Sequence, residues 1–164
     1  MPATTIDPAR TPADLAMVAD LFRAYAGSLS VDLAYQDFAA ELAGLPGSYA
    51  PPSGALLLAR DAAGQALGCV AVRPLDPPVV CEMKRLFVAP DGRGLGLGRA
   101  LVEAALAAAR TAGYREMRLD TLPDMTAAIA LYRQMGFRPI PAYYDTPVTG
   151  TLFLGRSLQD DAAV

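Results

Sequence analysis

A chain of 164 residues, 53% of them hydrophobic, can bury one core but not two, so residues 1–164 are expected to form a single domain. Fourteen Lys and Arg against 17 Asp and Glu give a net charge of −3, which excludes the basic footprint of a general nucleic-acid binder. Zero histidines exclude more: Ser-His-Asp triads, Cys-His pairs and His-ligated zinc all need imidazole, so any acid or base is Glu, Asp, Tyr, Lys or Cys.

Met1 to Arg10 lacks the charged-then-apolar order of a signal peptide. No apolar run approaches the roughly 18 to 20 residues that cross a bilayer. A soluble, cytoplasmic protein with no membrane or nucleic-acid partner is expected. A short strand near Thr4 to Pro8 is followed by Thr11-Pro12-Ala13-Asp14, the form of a helix start with Thr as N-cap, Pro in the first turn and Asp three residues on. Leu15, Val18, Phe22 and Tyr25 recur at three- and four-residue spacing. They predict one buried face on a helix running to about Ala26, ended by Gly27-Ser28. A second helix is expected from about Ala34 to Ala43. Gly44-Leu45-Pro46-Gly47 and Pro51-Pro52-Ser53-Gly54 then form a proline-stiffened loop suited to a lid.

Ala55 to Arg60 and Ala66 to Arg73 read as a hairpin, and Val79 to Val88 as the next strand. Leu97 to Thr111 is a helix with Leu101, Ala105, Ala108 and Ala112 on one stripe and Gly113 as its C′ residue. Arg115 to Asp120 is a strand that this long connection sets parallel to the preceding one. Asp124 is placed to cap a shorter helix ending at Met135-Gly136. Ile140 to Tyr144 and Thr151 to Leu158 are expected to close the sheet as a hairpin. Cys69 and Cys81 lie in separate apolar runs without metal spacing, so they read as buried thiols, as a reducing cytosol permits.

Val88-Ala89-Pro90-Asp91-Gly92-Arg93-Gly94-Leu95-Gly96-Leu97-Gly98-Arg99 joins an apolar strand to an apolar helix through glycines at alternate positions from Gly92 to Gly98. One glycine suffices for a connector. Several let a ligand approach the main chain, and the helix start offers free N–H groups and a positive dipole end to an anion. Spacing separates the kinds of phosphate loop. A Walker loop needs Lys and then Ser or Thr after its last glycine, whereas Arg99-Ala100 follow Gly98. The dinucleotide pattern G-x-G-x-x-G needs a glycine where Leu97, Arg99 or Leu101 stands.

What fits is Arg93-x-x-Gly96-x-Gly98 between a strand and a long helix, which resembles the pyrophosphate loop of the GNAT acetyltransferase superfamily, R/Q-x-x-G-x-G/A. Leu131-Tyr132-Arg133-Gln134-Met135-Gly136-Phe137 resembles that family's second motif, L-Y-x-x-x-G-F. The predicted element order is also that of the GNAT fold, with the first 50 residues the least specific. The resemblance implies an α/β fold: a mixed, mostly antiparallel central sheet flanked by about four helices. It implies acetyl-CoA as acyl-donor cosubstrate, no metal, and an amine acceptor, either a small molecule or a peptide. Dimers are common in the family, so a homodimer is compatible. The main-chain N–H groups of Arg93, Gly94, Leu95, Gly96, Leu97, Gly98 and Arg99 are then expected to hold the pyrophosphate. The backbone of Phe87 and Val88 is expected to pair with pantetheine as an added strand, the Val88 N–H polarising the thioester carbonyl.

Strand alternation places Glu82, Lys84, Leu86 and Val88 on one face unless a bulge intervenes. Spacing alone reads Glu82 and Lys84 as a solvated ion pair; the resemblance implies a general-base glutamate at Glu82. An ammonium has no lone pair for attack, so its proton needs an acceptor. Tyr132 reads as packed core from its helix face; the resemblance implies a donor to the departing thiolate. Met125 stands where many members carry a cofactor-binding Asn, and it is assigned no role. Arg73, Lys84 and Arg85 are charges within apolar strands; if any faces the cleft, a carboxylate-bearing amine becomes the expected acceptor. Tyr143-Tyr144-Asp145 is expected to line the same cleft. With neither cysteine in an activating motif, the expected reaction is direct attack by the amine in a ternary complex. Two alternatives stand beside it: transfer of another acyl group or to a hydroxyl, and a sensor that binds CoA without turnover.

Overall fold

One seven-stranded sheet runs through residues 3–159, the part of the chain that the computed structural model describes. The outermost residues of the expected 1–164 domain lie outside the described residues. The strands are β1 (Thr5–Pro8), β2 (Ala55–Arg60), β3 (Ala66–Pro74), β4 (Val80–Val88), β5 (Glu116–Thr121), β6 (Arg138–Pro139) and β7 (Leu152–Ser157). Their order across the sheet is β1-β2-β3-β4-β5-β7-β6. β4 and β5 are parallel; every other neighbouring pair is antiparallel.

Alternation along the central strands sends side chains to two separate cores. Leu56, Leu58, Cys69 and Ala71 meet Val18, Leu21 and Phe22 of α1 (Pro12–Ser28). Leu57, Val70, Val72, Cys81, Met83, Met117 and Leu119 meet Leu101, Val102, Ala105 and Leu106 of α3 (Leu97–Thr111). Thr11 caps α1 as its motif predicts: its hydroxyl accepts from the Asp14 N–H, and the Asp14 carboxylate accepts from the Thr11 N–H. The helix continues through Gly27 and Ser28, which were expected to end it. Cys69 and Cys81 are free and buried, and burial pushes the Cys81 thiol up to about 12.

The expected helix over 34–43 is two pieces. A 3₁₀ turn at Leu33–Gln36 and α2 (Phe38–Ala43) are separated at Asp37, whose φ of 57° is left-handed. The proline-stiffened loop is tied down by Tyr49, 3% exposed, whose ring packs edge-on against Phe22 and whose hydroxyl donates to Glu41 at 2.9 Å. α4 (Thr126–Gln134) starts without a side-chain cap, so Asp124 does not cap it. The expected strand at Ile140–Tyr144 is irregular. β6 precedes it, with Arg138 opposite Gly155 and Pro139 opposite Leu154, and the freed segment brings two tyrosines over the sheet.

Candidate active site

β4 and β5 pair at only three positions, Val80–Glu116, Cys81–Met117 and Glu82–Arg118. Beyond them the two strands part. The cause lies on the other edge of β4, where Cys69 faces Phe87 but Ala71 faces Lys84, so two steps on β3 match three on β4. That bulge bends the strand and sharpens its twist. Arg85 sits at the bulge with φ of 60°, a conformation that costs a non-glycine residue about 1–2 kcal/mol. The bulge also corrects the expected alternation. Glu82, Lys84, Arg85 and Phe87 turn to the α1 face, while Leu86 and Val88 pack against the α3 core.

Where the strands part lies a cleft lined by Met83 to Leu86 of β4, Leu119 to Thr121 of β5, Tyr132 of α4, and Tyr25, Tyr35 and Gln36 from above. Its enclosed space is about 30 Å³, room for one water. Burial pushes the Tyr132 phenol well above its usual range, with Tyr25 and Asp120 adding to the shift, so Tyr132 stays a proton donor at neutral pH. Its ring meets Phe137 edge-on at 5.9 Å.

On the α3 side a wider groove of about 450 Å³ runs past Phe87, Val88, Arg93, Gly98, Ala127 and Leu131. The glycine loop borders it. Gly94 and Gly96 have φ of 82° and 74°, and a Cβ at either would meet nothing within 4 Å. Both the conformation and the open space favour a ligand resting on the main chain. Leu97 is buried and anchors the loop, whereas Arg93 to Gly96 and Arg99 are exposed. Ala100 makes the first bond within α3, to Gly96 O at 3.1 Å, so the amides of Leu97, Gly98 and Arg99 have no partner inside the helix. No side chain caps this end. Ala89 donates to Leu67 of β3, and ladder alternation therefore turns the Val88 peptide to the open edge, where Arg93 Nε donates to its carbonyl at 3.4 Å. Phe87 is in register with Cys69, and its ring packs edge-on against Tyr25.

The α1 side is polar and enclosed. Glu82 is fully buried: Oε1 accepts from Arg73 Nε at 2.7 Å, Oε2 from the Tyr143 hydroxyl at 2.6 Å, and Lys84 Nζ lies 3.9 Å from Oε1. Arg85 donates to both Glu41 oxygens at 2.9 and 2.8 Å and to Gln36 Oε1 at 2.8 Å, beneath the rings of Tyr25 and Phe38. Burial works against the Glu41 carboxylate, but the Arg85 guanidinium overcomes it and holds its pKa below the usual range. Burial pushes the Lys84 pKa down against the opposing pull of Glu82 and Asp120. Asp120 lines the cleft beside Tyr132 and accepts from the Tyr144 hydroxyl and from Gln36.

The structure thus brings Tyr132, Lys84 and Arg85 into the cleft, sets Arg73 and Tyr143 around Glu82, and places the loop amides on the far side. Asp120, Gln36 and Glu41 were not singled out by sequence. Asp120 follows Glu116 and Arg118 at alternate positions of β5, which puts it on the polar face, a legible signal; Gln36 and Glu41 carried none. Among the described residues no group of His, Cys, Asp or Glu is arranged to hold a metal ion, and no helix is long and apolar enough to cross a membrane.

Comparison with known proteins gives concordant results. The model of the acetyltransferase (GNAT) family matches residues 15–137. An uncharacterized N-acetyltransferase of Schizosaccharomyces pombe is 40% identical over 150 residues, covering 92% of each chain. An acetyltransferase of the GNAT family from Staphylococcus aureus Mu50 superposes with a TM-score of 0.79 at 19% identity, covering 95% of this chain and 99% of that one. The yncA protein of Salmonella typhimurium, solved with its cofactor acetyl-CoA, superposes with a TM-score of 0.67 at 22% identity, covering 98% and 97%.

Proposed function

We propose, from the premise that this chain belongs to the GNAT acetyltransferase family, that it transfers the acetyl group of acetyl-CoA to a primary amine by direct attack in a ternary complex. The observation that carries this reading is the parting of β4 from β5, with open main-chain donors and the Tyr132 phenol on the α3 side of the gap and the Asp120 carboxylate at the cleft. When bound, acetyl-CoA supplies an activated thioester. The amides from Gly94 to Arg99 would hold its diphosphate, the expected Arg93 amide being taken by the Pro90 carbonyl at 3.3 Å, and the Val88 peptide, on the open edge of β4, would pair with the pantetheine arm and polarise the thioester carbonyl. Free, buried cysteines suit a reducing cytoplasm.

Tyr132, kept protonated by burial, donates at the sulfur as it departs. Glu82 accepts the amine's proton through the hydroxyl of Tyr143, which gives its own proton to Oε2 as it takes one from the acceptor side. A second reading is favoured by one observation: Asp120 borders the cleft directly with Tyr132, whereas Glu82 is enclosed by Arg73, Lys84 and Tyr143. In that reading the Asp120 carboxylate takes the proton itself and Glu82 orders the cations around it.

The test is CoA release from acetyl-CoA over a panel of primary amines and alcohols, with enzyme thiols subtracted, for the wild type, Glu82→Gln and Asp120→Asn. The carboxylate that serves as base is expected to cost about 10²–10⁴ in kcat when neutralised, with acetyl-CoA affinity unchanged. Full activity in both variants, or no CoA release with any acceptor, would contradict the proposal.

A further inference from the structure

Gln36 is held in the cleft as a small zwitterion would be. Its Oε1 accepts from Lys84 Nζ at 3.2 Å and Arg85 Nη1 at 2.8 Å, while its Nε2 donates to the Tyr35 hydroxyl at 3.1 Å and to Asp120 Oδ2 at 3.4 Å. The carboxamide therefore points its oxygen at the cations of β4 and its nitrogen at the carboxylate of β5, across the line where the strands part.

The cations differ in what they have left to give. Arg85 is committed to Glu41, to Gln36 and to two ring faces, and Arg73 to Glu82. Lys84, its side chain 7% exposed, makes one hydrogen bond, to Gln36; Glu82 Oε1, at 3.9 Å, is beyond hydrogen-bond reach. An ammonium with three donors thus lines the cleft with donors to spare. Burial pushes its pKa down, the mark of a charge that an incoming anion would steady. Opposite it, Asp120 receives both of its bonds at Oδ2.

Resting on the N-acetyltransferase reading, we propose that the acceptor is an amine with a carboxylate beside it, of the free amino acid class, which displaces the Gln36 side chain. Its carboxylate takes the place of Gln36 Oε1 between Lys84 and Arg85 Nη1, and its ammonium takes the place of Nε2 at Asp120. The cleft's enclosed space of about 30 Å³ holds no head group while Gln36 is in it. Gln36 ends the turn at Leu33–Gln36, next to the left-handed Asp37, while the pair of Glu41 with Arg85 holds the following helix to the sheet. The amide can leave without undocking the segment. A groove of about 320 Å³ bordered by Gln36, Glu41, Tyr49 and Arg73 then receives the rest of the acceptor.

Calorimetric titration of the CoA-saturated protein with free L-amino acids, each beside its own α-carboxamide, tests this without turnover. The acids that bind are expected to do so at least about tenfold more tightly than their carboxamides, the worth of a hydrogen bond to a charged group. Lys84→Met should narrow that gap, Arg85 holding the remainder, and Gln36→Ala should tighten amino acid binding several-fold. Equal affinity for acid and carboxamide, no binding by any amino acid, or weaker binding to Gln36→Ala would overturn the proposal. Should Lys84→Met fail to fold, the wild-type comparison and Gln36→Ala decide it. CoA release measured in parallel separates the two readings. Release with carboxylate-free amines alone removes the amino acid class and leaves acetyl transfer standing; amino acid binding with no release from any amine does the reverse.

Discussion

The two sides of the gap between β4 and β5 are built in different ways. The α3 side is made by consecutive residues, Gly94 to Arg99, through main-chain donors and two left-handed glycines. The α1 side is made by side chains that meet mostly from far along the chain: Glu41 with Arg85, Gln36 with Asp120, Tyr143 with Glu82. A backbone site depends on a few conformations and tolerates most side chains. A side-chain site depends on every partner, and a change at one position can retune what it accepts.

The sharpest way to break this contrast is to remove one long-range partner and one local one. Glu41→Ala leaves the buried Arg85 guanidinium without its carboxylate at a left-handed residue, and a loss of about 3 kcal/mol is expected in urea denaturation. Arg99→Ala removes an exposed pair with Glu103 and should change stability by less than about 0.5 kcal/mol. Gly96→Val forces a branched side chain into φ of 74°; acetyl-CoA affinity should fall about tenfold with amino acid binding intact.

Tyr132→Phe should lower kcat several-fold, because a thiol of pKa about 8.5 is already a fair leaving group, and should leave acetyl-CoA affinity in place. Away from the gap, Thr11→Ala should cost about 1 kcal/mol through the lost cap. Amide donors at Arg10 and Thr11 hold Asp14 down to about 2 from 3.8, so its stabilisation is complete above 3.8 and is lost as pH falls toward 2. Melting Asp14→Asn across that window should show a shallower pH dependence than the wild type.

The same contrast explains what the sequence made legible. Thr11 with Asp14 and the glycines before α3 act within a few residues and are where their motifs predict, as are Leu101 and Ala105 of the α3 stripe; Ala108 is half-buried and Ala112 exposed, because the buried face turns through Ala109. Glu82 and Tyr132 stood out by resemblance; Arg73 faces Glu82 across the β3–β4 ladder, but the approach of Tyr143, which completes the enclosure, is encoded in no local pattern. The β4 bulge was equally hidden: Lys84-Arg85-Leu86 reads as plain alternation, and the left-handed Arg85 is held by Glu41 and Gln36 from a distant segment. Tyr143 and Tyr144 were expected to line the cleft from a regular strand. They reach Glu82 and Asp120 from an irregular one.

The central claim is that the loop amides carry the donor's diphosphate, and titration calorimetry of acetyl-CoA beside acetyl-pantetheine tests it most directly. Acetyl-CoA is expected to bind at least about a hundredfold more tightly, with about tenfold of that margin lost in Gly96→Val, as a main-chain anion site requires. Equal affinity for the two thioesters would contradict it.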